Sequence, residues 1–229
     1  REGKTRWIKS MIGLNNQAVY KIRTDSQNNV IAGAVVSWKF KVDNLMLTTK
    51  DVSGYRDRPY AFVFKFSPVG ELMWYYECPD ISIVDEIIID SEDNIYLLKE
   101  INSGASGIVK LNPDGEEIYD VEFSDYKIFM DRGILDRDDN LILAGTRILE
   151  NQEFVTMVMK IRADGEKILW KKEYHGMMDL LAMEGASSGY FYIGGAILSD
   201  IPLSFMDIEI NGQIRYCYAK FNCTGELEW

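Results

Sequence analysis

Apolar positions in this chain gather into short runs of β-branched and aromatic residues, each closed by a polar turn signal. Phe62-Val-Phe-Lys65, Ile87-Ile-Ile89 and Val155-Thr-Met-Val-Met-Lys160 are examples. Runs of this length and type predict strands. No stretch combines sustained helical periodicity with end caps, so little helix is expected. One turn segment recurs. It reads Lys65-Phe-Ser-Pro-Val-Gly70-Glu-Leu-Met-Trp74, then Lys110-Leu-Asn-Pro-Asp-Gly115-Glu-Glu-Ile-Tyr119, then Lys160-Ile-Arg-Ala-Asp-Gly165-Glu-Lys-Ile-Leu-Trp170, and finally Lys220-Phe-Asn-Cys-Thr-Gly225-Glu-Leu-Glu-Trp229. The glycine supplies the positive φ of a tight turn, and the chain returns as a strand carrying an aromatic. A second signal falls between these turns: Asp25-Ser-Gln-Asn-Asn29, Asp90-Ser-Glu-Asp-Asn94, Asp136-Arg-Asp-Asp-Asn140 and a degenerate Glu184-Gly-Ala-Ser-Ser188. Asp and Asn there predict hairpins held by side-chain-to-backbone bonds.

Each unit therefore reads strand A, Asp/Asn turn, strand B, loop, strand C, Gly-Glu turn, strand D. Four-stranded sheets recurring at about 45 to 65 residues predict the blades of a β-propeller, stacked so that each buries both apolar faces. The expected fold is all-β: four repeats of a four-stranded antiparallel blade, at about 8–74, 75–119, 120–170 and 171–229 of a single domain. Trp7 and Trp229 both fall in the D phase, so one D-type strand is surplus. That surplus implies an excerpt of a larger ring or a homo-oligomer formed through the terminal strands. The opening at Arg1, with no basic-then-apolar leader after it, reads as a start downstream of an original one.

The repeat resembles bacterial and archaeal β-propeller families of the PQQ-like and SBBP type, on the Asp/Asn turn and the Lys-x-x-x-x-Gly-Glu-x-x-Trp segment. The resemblance implies that Trp74 and Trp170 pack between neighbouring blades and that Tyr119 docks more loosely. The quinone ligands and vicinal disulfide of the true quinoproteins do not map onto this chain, so no cofactor is expected. The resemblance also implies an extracellular or periplasmic location.

Composition narrows the partners. A net charge of −11, from 36 acidic and 25 basic residues, argues against nucleic acid and anionic membranes as partners. No apolar run is long enough for a membrane helix. Cys78, Cys217 and Cys223 form no CxxC pair, and His175 is the only histidine, so a zinc site is not expected. A Cys217–Cys223 bridge is compatible with the spacing but not required by it. The Asp90 loop places Ile95 and Ile101 where an EF-hand needs Gly and an acid, so it reads as a hairpin and not as a calcium loop.

Candidate chemistry lies at the start of strand A. Asp85, Asp131 and Asp179 each stand five residues before the Asp or Glu of the turn, and Tyr20 holds that place in the first unit. Converging at a channel mouth, they would attract a cation or a basic ligand; alternatively, each caps local backbone. Two insertions, 39–60 and 199–211, fall in the B–C loops, and the first brings Tyr55, Arg56, Arg58 and Tyr60 as a contact set. The leading expectation is a non-catalytic binding or scaffold propeller using this face. Its rivals are a glycan hydrolase with carboxylates in the same mouth and a structural module of a larger exported protein.

Overall fold

The computed structural model describes residues 4–13, 17–37, 39–49, 59–78, 81–101, 106–123, 128–151, 153–176, 178–197, 203–205, 208–210 and 215–229. Among them every regular element is a strand. The chain divides into two compact units, Arg1–Asn102 with Lys110–Ile118, and Ser103–Val109 with Tyr119–Trp229.

The first unit holds the first repeat, an antiparallel sheet in the order β2 (Ala18–Thr24), β3 (Val30–Ser37), β6 (Pro59–Phe66), β7 (Leu72–Cys78). Side chains alternate between its faces. Ile31, Val35, Ala61 and Val63 lie on the face with Gly33, where an added Cβ would meet Val84 and Ile87 of β8 (Ile81–Ile89), the first strand of the second repeat. The opposite face presents Ala32, Ala34, Phe62 and Phe64. It is covered by β1 (Met11–Gly13) and the hairpin β4 (Lys39–Val42) and β5 (Leu45–Thr48), which bury Phe40, Val42 and Leu47 against it. The described part of the first B–C insertion is thus a cap on a blade face. Strand β8 continues into a four-stranded sheet with β9 (Ile95–Ile101), β10 (Ser106–Leu111) and β11 (Glu117–Glu122).

The second unit holds the third repeat, β12 (Ile128–Leu135), β13 (Leu141–Ile148), β14 (Phe154–Ile161) and β15 (Ile168–His175). The fourth repeat has three strands, β16 (Met178–Gly185), β17 (Phe191–Ile197) and β20 (Arg215–Phe221). Its strand D is reduced to a Phe221–Leu227 bridge and two backbone bonds between Lys220 and the last residues. The two repeats share a core that includes Ile142, Val158, Leu180, Phe191 and Phe221. The described part of the second insertion is a hairpin, β18 (Leu203–Phe205) and β19 (Ile208–Ile210), added to the free edge of β15 through His175 and Ser204. It therefore extends a sheet and does not stand free as a loop. Pairing an exposed edge in this way removes a site of unwanted strand addition.

Candidate functional site

The turn residues that recur in sequence form one repeated joint. Asp25 Oδ1 accepts from the backbone N–H of Gln27 and Asn29, and its Oδ2 accepts from the Asn29 amide and from Lys65 Nζ at 2.9 Å. Asp90 repeats this with Glu92, Asn94 and Lys110, and Asp136 with Asp138, Asn140 and Lys160. Burial alone would raise these carboxyls. The hydrogen bonds from Asn and Lys outweigh that penalty and hold all three below the ordinary Asp range. In these three repeats the lysine that precedes the glycine by five residues thus serves as the counter-ion of the Asp/Asn turn, a pairing between strand C and the A–B turn. Its signal in the sequence was the co-occurrence of Lys and Asp in three copies.

The D-phase aromatics dock on the Gly-Glu turns of the following repeat. Trp7 lies against Gly70, Trp74 against Gly115, Tyr119 against Gly165 and Trp170 against Gly225, each so close that a Cβ on the glycine would collide with the ring. Trp7 and Trp74 donate Nε1–H to the carbonyls of Pro68 and Pro113. The docking role expected of Trp74 and Trp170 is what the structure shows, and Tyr119 docks in the same manner through a longer 3.4 Å bond to Ala163. Between the first two repeats the A–B turns are also clasped, because the Asp93 carboxylate accepts from both the backbone N–H and the hydroxyl of Ser26.

The fourth repeat breaks this pattern. Its A–B turn is Ala186-Ser-Ser-Gly189-Tyr190, closed by the same backbone bonds as the others, with Gly189 at φ +88° where Asn28, Asp93 and Asp139 adopt φ of 57–64°. Ala186 therefore stands where the other repeats have the joint Asp, Tyr190 where they have Asn, and Gly189 where the second repeat has its clasping carboxylate. Lys220 has no ion pair among the described residues and lies 3.9 Å from the centre of the Tyr190 ring. Trp170 turns its benzene edge to Gly225, and its Nε1 is buried without a partner. A cavity of about 720 Å³ opens between the turn ends of the third and fourth repeats, walled by Trp170, Tyr190, Phe191, Lys160 and Arg137.

The strand-A candidates fall differently from the sequence expectation. Tyr20, Asp85 and Asp131 lie inside their strands, not at the strand starts, and each is the extra residue of a β-bulge, between Val19 and Lys21, Val84 and Glu86, and Met130 and Arg132. The fourth strand A is bulged at Leu181, so Leu181 holds the equivalent place, and Asp179, paired with Ala196, stands two residues ahead of it. The degenerate turn caused this mismatch, since Ala186 and not Glu184 matches Asp25. The carboxylate next to one bulge, Glu86, is tied to Lys21 and Arg23. Of the first contact set, Tyr55, Arg56 and Arg58 lie outside the described residues. Tyr60 is 8% exposed and belongs to the core under the β4–β5 cap. Cys217 and Cys223 are free thiols. No group of metal-ligating side chains is assembled among the described residues.

No family model matches this chain, and no curated protein does. Among solved structures, it is similar to the β-propeller domain of the Trilobed protease from Pyrococcus furiosus, which has an open velcro topology (8% identity, TM-score 0.56, covering 93% of this chain and 56% of that one). It is also similar to the Hadza microbial sialidase Hz136 (11% identity, TM-score 0.56, 91% and 45%) and to the Neurospora crassa Pan2 WD40 domain (10% identity, TM-score 0.52, 92% and 64%). The chain thus spans about half the length of the structures it matches. At these identities the likeness is one of fold: the chain is built of β-propeller blades.

Proposed function

We propose that this chain is a non-catalytic binding or scaffold propeller, related to the PQQ-like and SBBP type but using no quinone. The observation that carries this reading is the contrast between its terminal blade faces. The outer face of the first repeat is covered by the chain's own β1-β4-β5 cap. The fourth repeat leaves Tyr216, Tyr218 and Trp229 exposed by 79, 74 and 56%, with Tyr192 beside Trp229. Clustered exposed aromatics of this kind mark interaction surfaces. The occupant proposed is the same face of a second copy. Head-to-tail stacking would have to remove the cap, whereas a two-fold pairing needs one self-complementary face. Sedimentation over a concentration series is expected to show a dimer that Y218S/W229S converts to monomer. A monomeric wild-type chain at every concentration overturns the reading.

A second reading, a cationic ligand at the strand-A bulges, is favoured by the recurrence of the bulge at one phase in all four strands A. Bulges often re-aim side chains at functional sites. Charge reversal of Asp85 and Asp131 would then remove stabilisation by a cationic ligand, and unchanged stabilisation removes these residues from the site. The rival glycan hydrolase draws no support from the sialidase likeness, which concerns fold alone.

A further inference from the structure

From the cavity between the third and fourth repeats we infer a binding site for a small organic carboxylate with an apolar or aromatic body. The other repeats serve as internal controls. In them the corresponding joints contain carboxylates: Asp25, Asp90 and Asp136 on the strand-C lysines, and Asp93 clasping the Ser26 turn. The fourth repeat carries neither kind, having Ala186 and Gly189 in their places; across the cavity the third-repeat turn keeps Asp136 paired with Lys160 and has Arg137 where the first repeat has Ser26, so the carboxylate missing from this joint is the clasping one. A Cβ added at Gly189 would meet nothing within 4 Å, so the vacated clasp position is open space.

The donor left at the vacated clasp, Arg137, is of the kind that recognises a carboxylate. Arg137 is exposed, makes no ion pair among the described residues and lines the cavity. A guanidinium binds a carboxylate through two parallel charge-assisted hydrogen bonds. The indole of Trp170 lines the cavity and its N–H is buried without an acceptor, so it reports on the cavity's occupation. Two acids also line the cavity. Asp136 is neutralised by Lys160, and Asp138 is exposed on the same turn as Arg137. Beyond the charged rim the walls are apolar, with Ile142, Leu169 and Phe191 among them. A cavity of about 720 Å³ lies within the usual range for small-molecule sites. The ligand carboxylate takes the place of the Asp93 side chain in the clasp, and its body fills the gap between the turns.

The probe is benzoate, with benzyl alcohol as its uncharged counterpart, followed by the indole N–H resonance of Trp170, identified by its loss in W170F. Benzoate is expected to shift that resonance saturably, and R137Q to weaken it by about tenfold, the scale of one charge-assisted pair. Benzyl alcohol should bind more weakly by a similar factor. G189D returns a carboxylate to the clasp and should abolish benzoate binding while the chain stays folded. R137Q, a surface change, keeps the test valid if G189D folds poorly. No saturable shift with benzoate, equal binding of benzyl alcohol, or full affinity in R137Q would each overturn the proposal.

Discussion

The joint between the first and second repeats and the joint between the third and fourth share one backbone plan and differ in a few side chains. At the first, Asp25 and Asn29 hold Lys65, Ser26 clasps Asp93, and Trp74 closes on Gly115 with its indole N–H satisfied. At the second, Asp136 and Asn140 hold Lys160 in the same way, but Gly189 leaves the clasp without its carboxylate, Trp170 closes on Gly225 with its indole N–H lacking an acceptor, and a cavity opens between the turns. The backbone hydrogen bonds of the turns are the same in both. The comparison teaches that hairpin geometry is set locally, while the seal between these blades depends on a clasping polar side chain that the first joint has and the joint between the third and fourth repeats lacks.

The largest effect should come from removing the joint lysine. K65M leaves Asp25, whose side chain is 1% exposed, without its cation, and losing one partner of a buried pair costs about 3–5 kcal/mol. K220M gives up only a cation–π contact, worth about 0.5–1 kcal/mol. Denaturant midpoints of the two variants measure the difference, and equal losses would break the comparison. A smaller contrast is expected at the turn glycines. G115A and G189A both force Ala into left-handed backbone, at about 1–2 kcal/mol. Only G115A also drives a Cβ into Trp74, whose nearest ring atom lies 2.7 Å from the Cβ position, so it should cost more. Thermal unfolding of both variants checks this.

The smallest effect is the response to acid. Asp25, Asp90 and Asp136 have folded values below the unfolded one, so the stability they add is complete above the ordinary Asp range and is lost as pH falls towards the folded values. The wild-type melting temperature should therefore fall between about pH 5 and pH 3, and more shallowly in D25N. An unchanged slope in D25N would show that the joint carboxylates are not what acid titrates. A186D should steepen the fall by giving Lys220 the carboxylate that the other lysines have.

The hairpins were legible in the sequence because their determinants lie within five residues of one another. Asn112 Oδ1 accepts from Asp114 and Glu116, Gly115 supplies φ +84°, and each Asp/Asn turn closes on its own backbone. The residues around the candidate sites were less legible. Tyr60 looked like part of a loop and is a core residue, because the insertion ahead of it folds back as a cap. Asp179 matched its neighbours by counting and missed them by two residues, because the fourth turn lacks the Asp that anchors the count. A glycine at the positive-φ position, Gly189, was the local mark of the true phase.

What the sequence by itself determined was the strand-and-turn repeat, since alternation, Asp/Asn turns and Gly-Glu turns act through near neighbours in the chain. Only the tertiary structure decided which lysine neutralises which aspartate, on which turn each D-phase aromatic closes, and where the blades fail to seal. Those contacts join Lys65 to Asp25 and Trp170 to Gly225, residues far apart along the chain. They exist only once the strands have paired and the sheets have stacked.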